Sequence, residues 1–298
     1  IEKVDVSDKE AVRKIIKKHK IDTIYHLVGI LSAVGEQKPD LAWHVNMTGL
    51  KNVLDLAVEY KIKKVFWPSS IAAFGPTTPR VKTPQRTVLE PTTMYGVTKV
   101  AGELLCQYYF EKYGLDVRSL RYPGIISWKT APGGGTTDYA VAIFYEAIEK
   151  KNYEFFVSKN TILPMMYMDD AIRATLELMA TPVESLTDAR AGYNIAGCSF
   201  TAEELADAIK SRVDNFECTF TPDIRQEYAD SWPDSVDDSE AKNDWAWEAQ
   251  YGLENLEGEL SDILSELENQ GITSFWLVVF SIGAVLAASG SAFYTGYV

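Results

Sequence analysis

Short apolar segments alternate with longer amphipathic segments along residues 1–127, and this alternation is the feature that most limits how the chain can fold. Short apolar runs predict β-strands, and apolar residues that recur every three or four positions predict helices. Ser7 to Glu10 has the residue types of a capping box, which predicts where the first helix starts. Strands that alternate with helices predict an α/β fold built on a doubly wound parallel sheet. The predicted order is helix 11–20, strand 22–28, helix 41–60, strand 64–67, helix 93–113 and strand 116–122.

The sequence pattern changes after Pro123, where glycines and shorter elements become frequent. A glycine run at 133–135 precedes a predicted helix, and strand-like segments follow at 155–158 and 193–196. Thr201 to Glu204 predicts a further helix cap. We therefore expect one domain over 1–127, a smaller lobe with returning segments over 128–252, and a separate C-terminal segment over 253–298.

Composition excludes several classes of function. The formal net charge is −13, whereas a nucleic-acid surface needs clustered lysine and arginine, so nucleic acid is not an expected partner. Cys106, Cys198 and Cys218 are an odd number of cysteines without a Cys-x-x-Cys pair, which is typical of free thiols in a reducing compartment such as the cytoplasm. The histidines lack the spacing of a zinc site, so we expect no metal.

Tyr95 and Lys99 are the first candidates for catalysis. They lie one turn apart on a predicted helix, so their side chains share a face and the ammonium group should lower the pKa of the phenol from about 10. Tyr95 can then accept a proton from a hydroxyl group as hydride leaves the same carbon. Ser70 follows a predicted strand, at the sheet edge where ligands bind, and would hydrogen-bond the reacting oxygen. The pattern predicts a dehydrogenase that uses a nicotinamide cofactor.

Several motifs resemble a known family, the extended short-chain dehydrogenases related to nucleotide-sugar epimerases. The residues that resemble it are Pro68 to Gly75, Tyr95 to Lys99, and Leu120 to Ser127. Within that group, three further segments resemble the short-chain type of L-threonine 3-dehydrogenase: Pro132 to Ala140, Leu163 to Tyr167, and Ala229 to Pro233. The resemblance covers residues 1 to about 252.

The resemblance implies oxidation of the L-threonine hydroxyl by NAD to 2-amino-3-oxobutanoate, without a metal and in a homodimer. Ser70, Tyr95 and Lys99 would be the catalytic residues, and Lys99 would also hold the nicotinamide ribose. The implied cofactor contacts are Asp5, Val6, His26, Leu27, Val28, Asn46, Tyr95, Lys99, Tyr122, Pro123 and Ile125. The implied substrate contacts are Ser32, Ser70, Tyr95, Thr136 and Thr137.

Some of these residues have a simpler structural interpretation. Asp5 can be a loop carboxylate, Asn46 can brace a helix, and Leu27 and Val28 can be core residues of a strand. Glycines 133–135 can form a turn, although glycines before two threonines at a helix start also suit the close approach of a small carboxylate. Met165 and Met166 are expected to fill the core rather than to touch a ligand.

Two other functions stay open at this point. A nucleotide-sugar 4-epimerase or dehydratase would share the catalytic residues but would need a roomier, partly basic pocket. The family also opens with a strand and a glycine-rich turn that hold the pyrophosphate, whereas this sequence has no glycine before Gly29. We therefore expect the sequence to begin inside the nucleotide-binding domain, and an inactive remnant is the third alternative.

The end of the sequence departs from the family pattern. Leucines and isoleucines from Leu253 to Leu267 form an amphipathic stripe, and residues 275–298 are apolar or small. An apolar segment of this length can span a bilayer, which needs roughly 20 residues. A membrane anchor at 275–298 is thus an alternative to a cytoplasmic protein with a buried C-terminal helix.

Overall fold

The computed structural model describes residues 2–127, 132–133 and 135–252, and the fold outlined here concerns those ranges. The predicted amphipathic segment and apolar tail at 253–298 lie outside them. The α-helices are α1 (Lys9–His19), α2 (Ser32–Gln37), α3 (Pro39–Trp43), α4 (Gly49–Glu59), α5 (Met94–Tyr113), α6 (Tyr139–Glu149), α7 (Met168–Ala180), α8 (Ala202–Lys210), α9 (Ile224–Asp230) and α10 (Ser239–Trp245).

Short strands alternate with these helices, as predicted. They are β1 (Thr23–Tyr25), β2 (Lys64–Phe66), β3 (Ser69–Ser70), β4 (Asp116–Arg118), β5 (Leu120–Tyr122), β6 (Gly124–Ile126), β7 (Asn152–Phe155), β8 (Ile162–Tyr167), β9 (Tyr193–Asn194), β10 (Cys198–Thr201) and β11 (Glu217–Phe220). Single turns of 3₁₀-helix occur at Ile71–Ala73, Val183–Ser185 and Asp188–Ala191.

Parallel pairing organises the first half of the chain. β2 lies between β1 and β4, with Val65 opposite both Ile24 and Val117. β5 lies between β3 and β9 in the same direction, with Ser70 opposite Tyr122. Along the chain, β3 comes directly after β2, and β5 comes directly after β4. The β1–β2–β4 group and the β3–β5–β9 group therefore lie end to end in the same layer. The α/β class with parallel strands is confirmed.

The second half supplies a smaller set of strands. β6 pairs in parallel with β8, β10 pairs with β8 in the antiparallel direction, and β7 pairs in parallel with β11. The antiparallel strand was not predicted, because the residues of a strand do not reveal the direction of its neighbour. β9 returns the chain to the first sheet beside β5, and the proposed domain boundaries stay a prediction.

Successive residues of β2 point to opposite faces of the sheet, and each face is covered by helices. Val65 packs into a core formed with α1, α4 and α5, whereas Phe66 packs into a core that includes α7. A third core joins α6 and α8 to β7, β8 and β10, and it contains Met165. Helices on both faces explain why the strands read as continuous apolar runs.

One of the two predicted helix caps is confirmed and the other differs. Thr201 and Glu204 form the predicted capping box of α8. Thr93, the first residue of the predicted helix 93–113, caps α5 through a hydrogen bond from Gly96. The capping box expected at Ser7 is wrong, because Asp8 is the residue whose side chain accepts from Ala11. The residue that caps α1 is therefore one position later than the predicted Ser7.

The predicted helix 41–60 is interrupted. α3 and α4 are joined by one π-helical turn, His44–Thr48, which contains the buried Asn46. A π turn is a local widening of the helix that often occurs at functional sites. The sequence pattern did not predict it, because the five residues of α3 are too few to reveal a change of helical phase.

Helix α5 approaches the sheet unusually closely at Gly102. A Cβ atom at this position would lie 2.3 Å from the Trp67 ring. Trp67 is itself only 2% exposed, so the ring has no space to move into. Glycine is therefore required by the packing of α5 on the sheet. Within the described ranges, no helix is both long and apolar enough to cross a membrane.

Replacing Gly102 with alanine should destabilise the fold. We expect Gly102→Ala to lower the free energy of unfolding by about 1–3 kcal/mol, because the new methyl group overpacks a rigid site. Gly35→Ala, in helix α2, is the matched control, since its Cβ would meet no atom closer than 3.6 Å. Urea unfolding of both variants checks this, and equal losses of stability in the two would contradict it.

Candidate active site

A cavity of about 550 Å³ lies at the carboxyl ends of β1, β3 and β5, beside the first turns of α5. This is the edge of a parallel sheet where ligands bind in open α/β folds. Most of the predicted site residues line it. They are Leu27, Val28, Ser32, Ser70, Tyr95, Lys99, Tyr122, Pro123, Ile125, Thr136 and Thr137.

Ser70 and Tyr95 both line the wall of this cavity, and Ser70 acts to lower the pKa of the Tyr95 phenol. Ser70 is the last residue of β3 and caps the following 3₁₀ turn, because its Oγ accepts from the backbone N–H of Ala72 at 3.2 Å. Tyr95 is the second residue of α5, one position after the helix starts. The strand end and the helix start therefore bring the two hydroxyl groups together, as the sequence predicted.

Lys99 lies one turn further along α5 and is only 6% exposed. Its ammonium group donates to the carbonyl of Pro68 at 2.5 Å and lies 4.6 Å from the centre of the Trp67 ring. It also lies 5.1 Å from the centre of the Tyr95 ring. Burial lowers the pKa of Lys99 to about 8, although the negative charge of Glu103 opposes this.

The expected effect of Lys99 on Tyr95 is wrong for this structure. Burial raises the pKa of Tyr95 to about 12, and only the hydrogen bond with Ser70 acts in the lowering direction. Removing a phenol from water disfavours its charged form more strongly than one neighbouring hydroxyl can favour it. Helical spacing predicted that the two residues are adjacent, but it could not predict how far the surrounding packing removes the phenol from water.

Four predicted cofactor residues do not line the cavity. Asp5 accepts hydrogen bonds from the N–H and hydroxyl of Ser7, as a loop carboxylate does. Val6 is buried against Gly49, where a Cβ atom would lie 2.8 Å from it. Asp5 and Val6 thus shape the segment before α1, and their contact with a cofactor stays a prediction.

Asn46 braces the site from behind. Its side chain accepts from the N–H of Ile30 at 2.7 Å and donates to the carbonyl of Ile30 and to the hydroxyl of Thr98, each at 3.1 Å. Thr98 in turn donates to the carbonyl of Tyr95 at 2.8 Å. The buried amide therefore ties the loop after β1 to the first turn of α5, which is the bracing role that the sequence left open.

His26 is the remaining predicted residue outside the cavity lining. It is 3% exposed, and its Nε2 atom has no hydrogen-bond partner among the described residues. Burial, helped by the positive charge of Lys99, lowers the pKa of His26 to about 4. The imidazole is therefore neutral at physiological pH.

Residues of the smaller lobe close the opposite side of the cavity. Thr136 is 1% exposed, and its hydroxyl is hydrogen-bonded to that of Ser32 at 3.1 Å, so the loop is joined to helix α2. Gly124 permits this approach, because a Cβ there would lie 2.8 Å from Thr137 and 2.3 Å from the sulfur of Met165. Gly134 of the predicted glycine run lies outside the described residues.

The cavity also has lining residues that the sequence did not indicate. Trp232 contributes to the cavity wall together with Asp138. Helix α7 contributes an apolar face at helical spacing, formed by Met168, Ala171, Ile172, Thr175 and Leu176. That spacing was visible in the sequence, but nothing there indicated that the face borders the cavity.

The residues at the Lys99 end of the cavity fit a nicotinamide cofactor. The buried ammonium of Lys99 donates one hydrogen bond within the described residues and lines the cavity, so its other N–H groups can reach ribose hydroxyls. Pro123 and Ile125 offer an apolar surface next to it for a flat ring. Within the same ranges, no group of three or more histidine, cysteine or acidic side chains could hold a metal ion.

Comparison with known proteins agrees with this arrangement. The model of the NAD dependent epimerase/dehydratase family matches residues 1–196. An uncharacterized epimerase/dehydratase of Staphylococcus haemolyticus is 47% identical over 256 residues, which are 86% of this chain and 80% of that protein. The chain belongs to the NAD dependent epimerase/dehydratase family. NAD is accordingly its cofactor, and it is an enzyme of the short-chain dehydrogenase type.

Comparison with solved structures shows which members of the family this chain resembles in sequence and fold. A GalE-like L-threonine dehydrogenase from Cupriavidus necator in its holo form is 52% identical, with a TM-score of 0.85 over 89% of this chain and 84% of that chain. A monomeric L-threonine 3-dehydrogenase from a metagenome, in its apo form, is 51% identical, with a TM-score of 0.86 over 89% and 85%. The homodimer expected from the sequence stays a prediction.

The buried imidazole makes a specific prediction about acid stability. The pKa of His26 is about 4 in the fold, below its ordinary value of 6.5, so the unfolded chain alone takes up this proton as the pH falls between those values. We expect this group to lower the free energy of unfolding by about 3 kcal/mol over that window. His26→Phe should therefore lose less stability than the wild type between pH 6.5 and pH 4.

Urea unfolding at a series of pH values measures this difference. His44→Phe, which replaces an exposed histidine in the π turn, is the matched control. Parallel stability curves for the wild type and His26→Phe across the window would contradict a neutral buried imidazole.

Proposed function

We propose that the protein oxidises the hydroxyl group of L-threonine with NAD, giving 2-amino-3-oxobutanoate, NADH and a proton. The observation that carries the proposal is the single cavity in which Ser70, Tyr95 and Lys99 lie opposite the Thr136–Thr137 loop. The two solved relatives described above are threonine dehydrogenases at 52% and 51% identity, which supports the same substrate.

Each side chain has a separate part in this reaction. Ser70 hydrogen-bonds the substrate hydroxyl and holds it beside Tyr95, and Tyr95 removes its proton as the general base. Lys99, one turn away, acts in its charged form, because its ammonium group would donate hydrogen bonds to the hydroxyls of the nicotinamide ribose. Bound NAD would supply the acceptor for the hydride that leaves the carbon carrying this hydroxyl. Because the site is buried, these charges act through a medium of low dielectric constant and interact strongly.

The charge of the cavity favours a small amino acid over a nucleotide sugar. Lys99 is the only lysine or arginine among the described residues that line the cavity. In the proposed reaction its ammonium group already contacts the cofactor ribose and Tyr95. A nucleoside diphosphate brings two further phosphates, which proteins usually bind with arginine or with several cations. The cavity volume of about 550 Å³ must also accommodate the nicotinamide end of NAD.

Substitution of Tyr95 tests the proposed chemistry. Tyr95→Phe removes only the hydroxyl that accepts the proton, so we expect kcat for L-threonine oxidation to fall by about 100- to 10,000-fold. Tyr108→Phe is the control, because Tyr108 is an exposed tyrosine on the same helix. NADH formation is followed in the full-length protein by absorbance.

The substrate is tested in the same assay with L-threonine and with UDP-glucose. Turnover of L-threonine with none of UDP-glucose is the expected result. Conversion of UDP-glucose without reaction of L-threonine would overturn the proposed substrate. A Tyr95→Phe variant as active as Tyr108→Phe would overturn the proposed base.

A further inference from the structure

An ion pair is buried directly behind the catalytic residues. Glu103 lies one turn after Lys99 on α5, and Arg121 precedes Tyr122 on β5. Each is 6% exposed. The guanidinium donates two parallel hydrogen bonds to the carboxylate, from Nε at 2.9 Å and from Nη2 at 2.7 Å. Neither residue lines the cavity, so any effect on the reaction must pass through neighbouring side chains.

The Glu103 carboxylate also holds the strand that ends at Ser70. Its Oε1 atom accepts from the hydroxyl of Ser69 at 2.5 Å, and the N–H of Ser69 donates to the hydroxyl of Ser119 at 3.1 Å. Ser69 immediately precedes Ser70, so the position of Ser70 depends on the same carboxylate that is anchored by Arg121.

Arg121 extends the same contact to two further segments. Its Nη1 atom donates to the side-chain oxygen of Asn194 on β9 at 3.1 Å and to the carbonyl of Gln85 at 3.0 Å. Gly192 leaves the space that the carboxylate needs, because a Cβ there would lie 2.6 Å from the carboxyl carbon of Glu103. The pair thus joins α5, β3, β5 and β9 at one point.

The charge of Glu103 acts on Lys99 as well. The groups that face this ammonium are Tyr95, Cys106 and Glu103 on its own helix and His26 from the end of β1. Burial raises the pKa of Cys106, and it lowers the pKa of His26 to about 4, so both are neutral near pH 7. Glu103 is then the nearby group that can supply a negative charge to Lys99.

We propose that Glu103 and Arg121 are positioning residues for the dehydrogenase reaction, holding Ser70, Tyr95 and Lys99 in one arrangement and keeping the Lys99 ammonium charged. This rests on the proposed function, in which Lys99 acts in its charged form. A buried ion pair is by itself weak evidence of a stabilising role, because apolar side chains of similar volume often serve stability equally well. An apolar pair would not supply the directed hydrogen bond to Ser69 or the negative charge near Lys99.

Glu103→Gln is the decisive substitution, since it keeps the shape of the side chain and removes its charge. We expect kcat to fall by about 10- to 100-fold while KM for the substrate changes by less than about 3-fold. The alkaline limb of the kcat profile should move to lower pH by about one unit, because Lys99 loses its proton more readily. Glu111→Gln, the same change on the exposed side of α5, should behave as the wild type.

A second readout does not depend on turnover. ¹³C NMR of the lysine ε-carbons in the full-length protein, with Lys99 assigned through Lys99→Arg, gives its titration midpoint directly. We expect a lower midpoint in Glu103→Gln than in Glu111→Gln. If the wild type does not oxidise L-threonine, the proposed function fails, and this midpoint still decides whether Glu103 controls the charge of Lys99.

The double variant Glu103→Gln with Arg121→Met separates positioning from folding, because it leaves no unpaired buried charge. Thermal unfolding reports whether each variant folds. A folded double variant that still loses at least about 10-fold in kcat supports the proposal. Wild-type kcat in a folded single or double variant, or an unchanged Lys99 midpoint, would overturn it.

Discussion

The contact between Gly102 and the Trp67 ring determines how near helix α5 lies to the sheet, and the catalytic geometry follows from that distance. Because α5 approaches closely at this point, Lys99, one turn earlier, lies 4.6 Å from the same ring and reaches the carbonyl of Pro68. Tyr95, one turn earlier again, then lies beside Ser70 at the end of β3. A larger residue at position 102 would lift the helix and move both side chains away from the strand end.

The same close packing buries much of the site, and this affects each of its titratable groups differently. Burial disfavours charge, so it lowers the pKa of Lys99 and His26 and raises that of Tyr95. Charged groups interact more strongly in a medium of low dielectric constant, but a buried group depends on its neighbours to stay charged. Buried pairs and amides behind the cavity are therefore part of the chemistry rather than only of the framework.

Much of the fold was predictable from the sequence because the first half repeats a simple physical pattern. Val65 and Phe66 form an apolar strand because helices cover both faces of the sheet, and Thr201 and Glu204 mark the start of α8 by their capping chemistry. The grouping of Ser70 with Tyr95 was predictable for the same reason. The parallel direction of the strands fixes where their ends meet.

Other features depend on tertiary contacts that spacing does not encode. The direction of the Tyr95 pKa shift depends on how far the phenol is removed from water, which the sequence does not show. The contribution of α7 to the cavity wall depends on where that helix packs, which the sequence does not show either. The interactions of Asp5 and Asn46 likewise could not be derived from residue type. The side chains of Asp5 and Asn46 can each bind a ligand or form a local hydrogen bond. Which of the two occurs depends on the groups that lie within hydrogen-bonding distance.

The π turn at His44–Thr48 has a consequence for how this segment can vary. One extra residue in a helix rotates everything after it by about 100° relative to what comes before. The turn thus acts as a phase shift: Asn46 can face the loop at Ile30 while Leu50 and Leu54 still face the core. Deleting a single residue here would put the two halves out of phase, so a deletion should be more harmful than most substitutions. The length of this segment is therefore more tightly constrained by the packing than most of its side chains are.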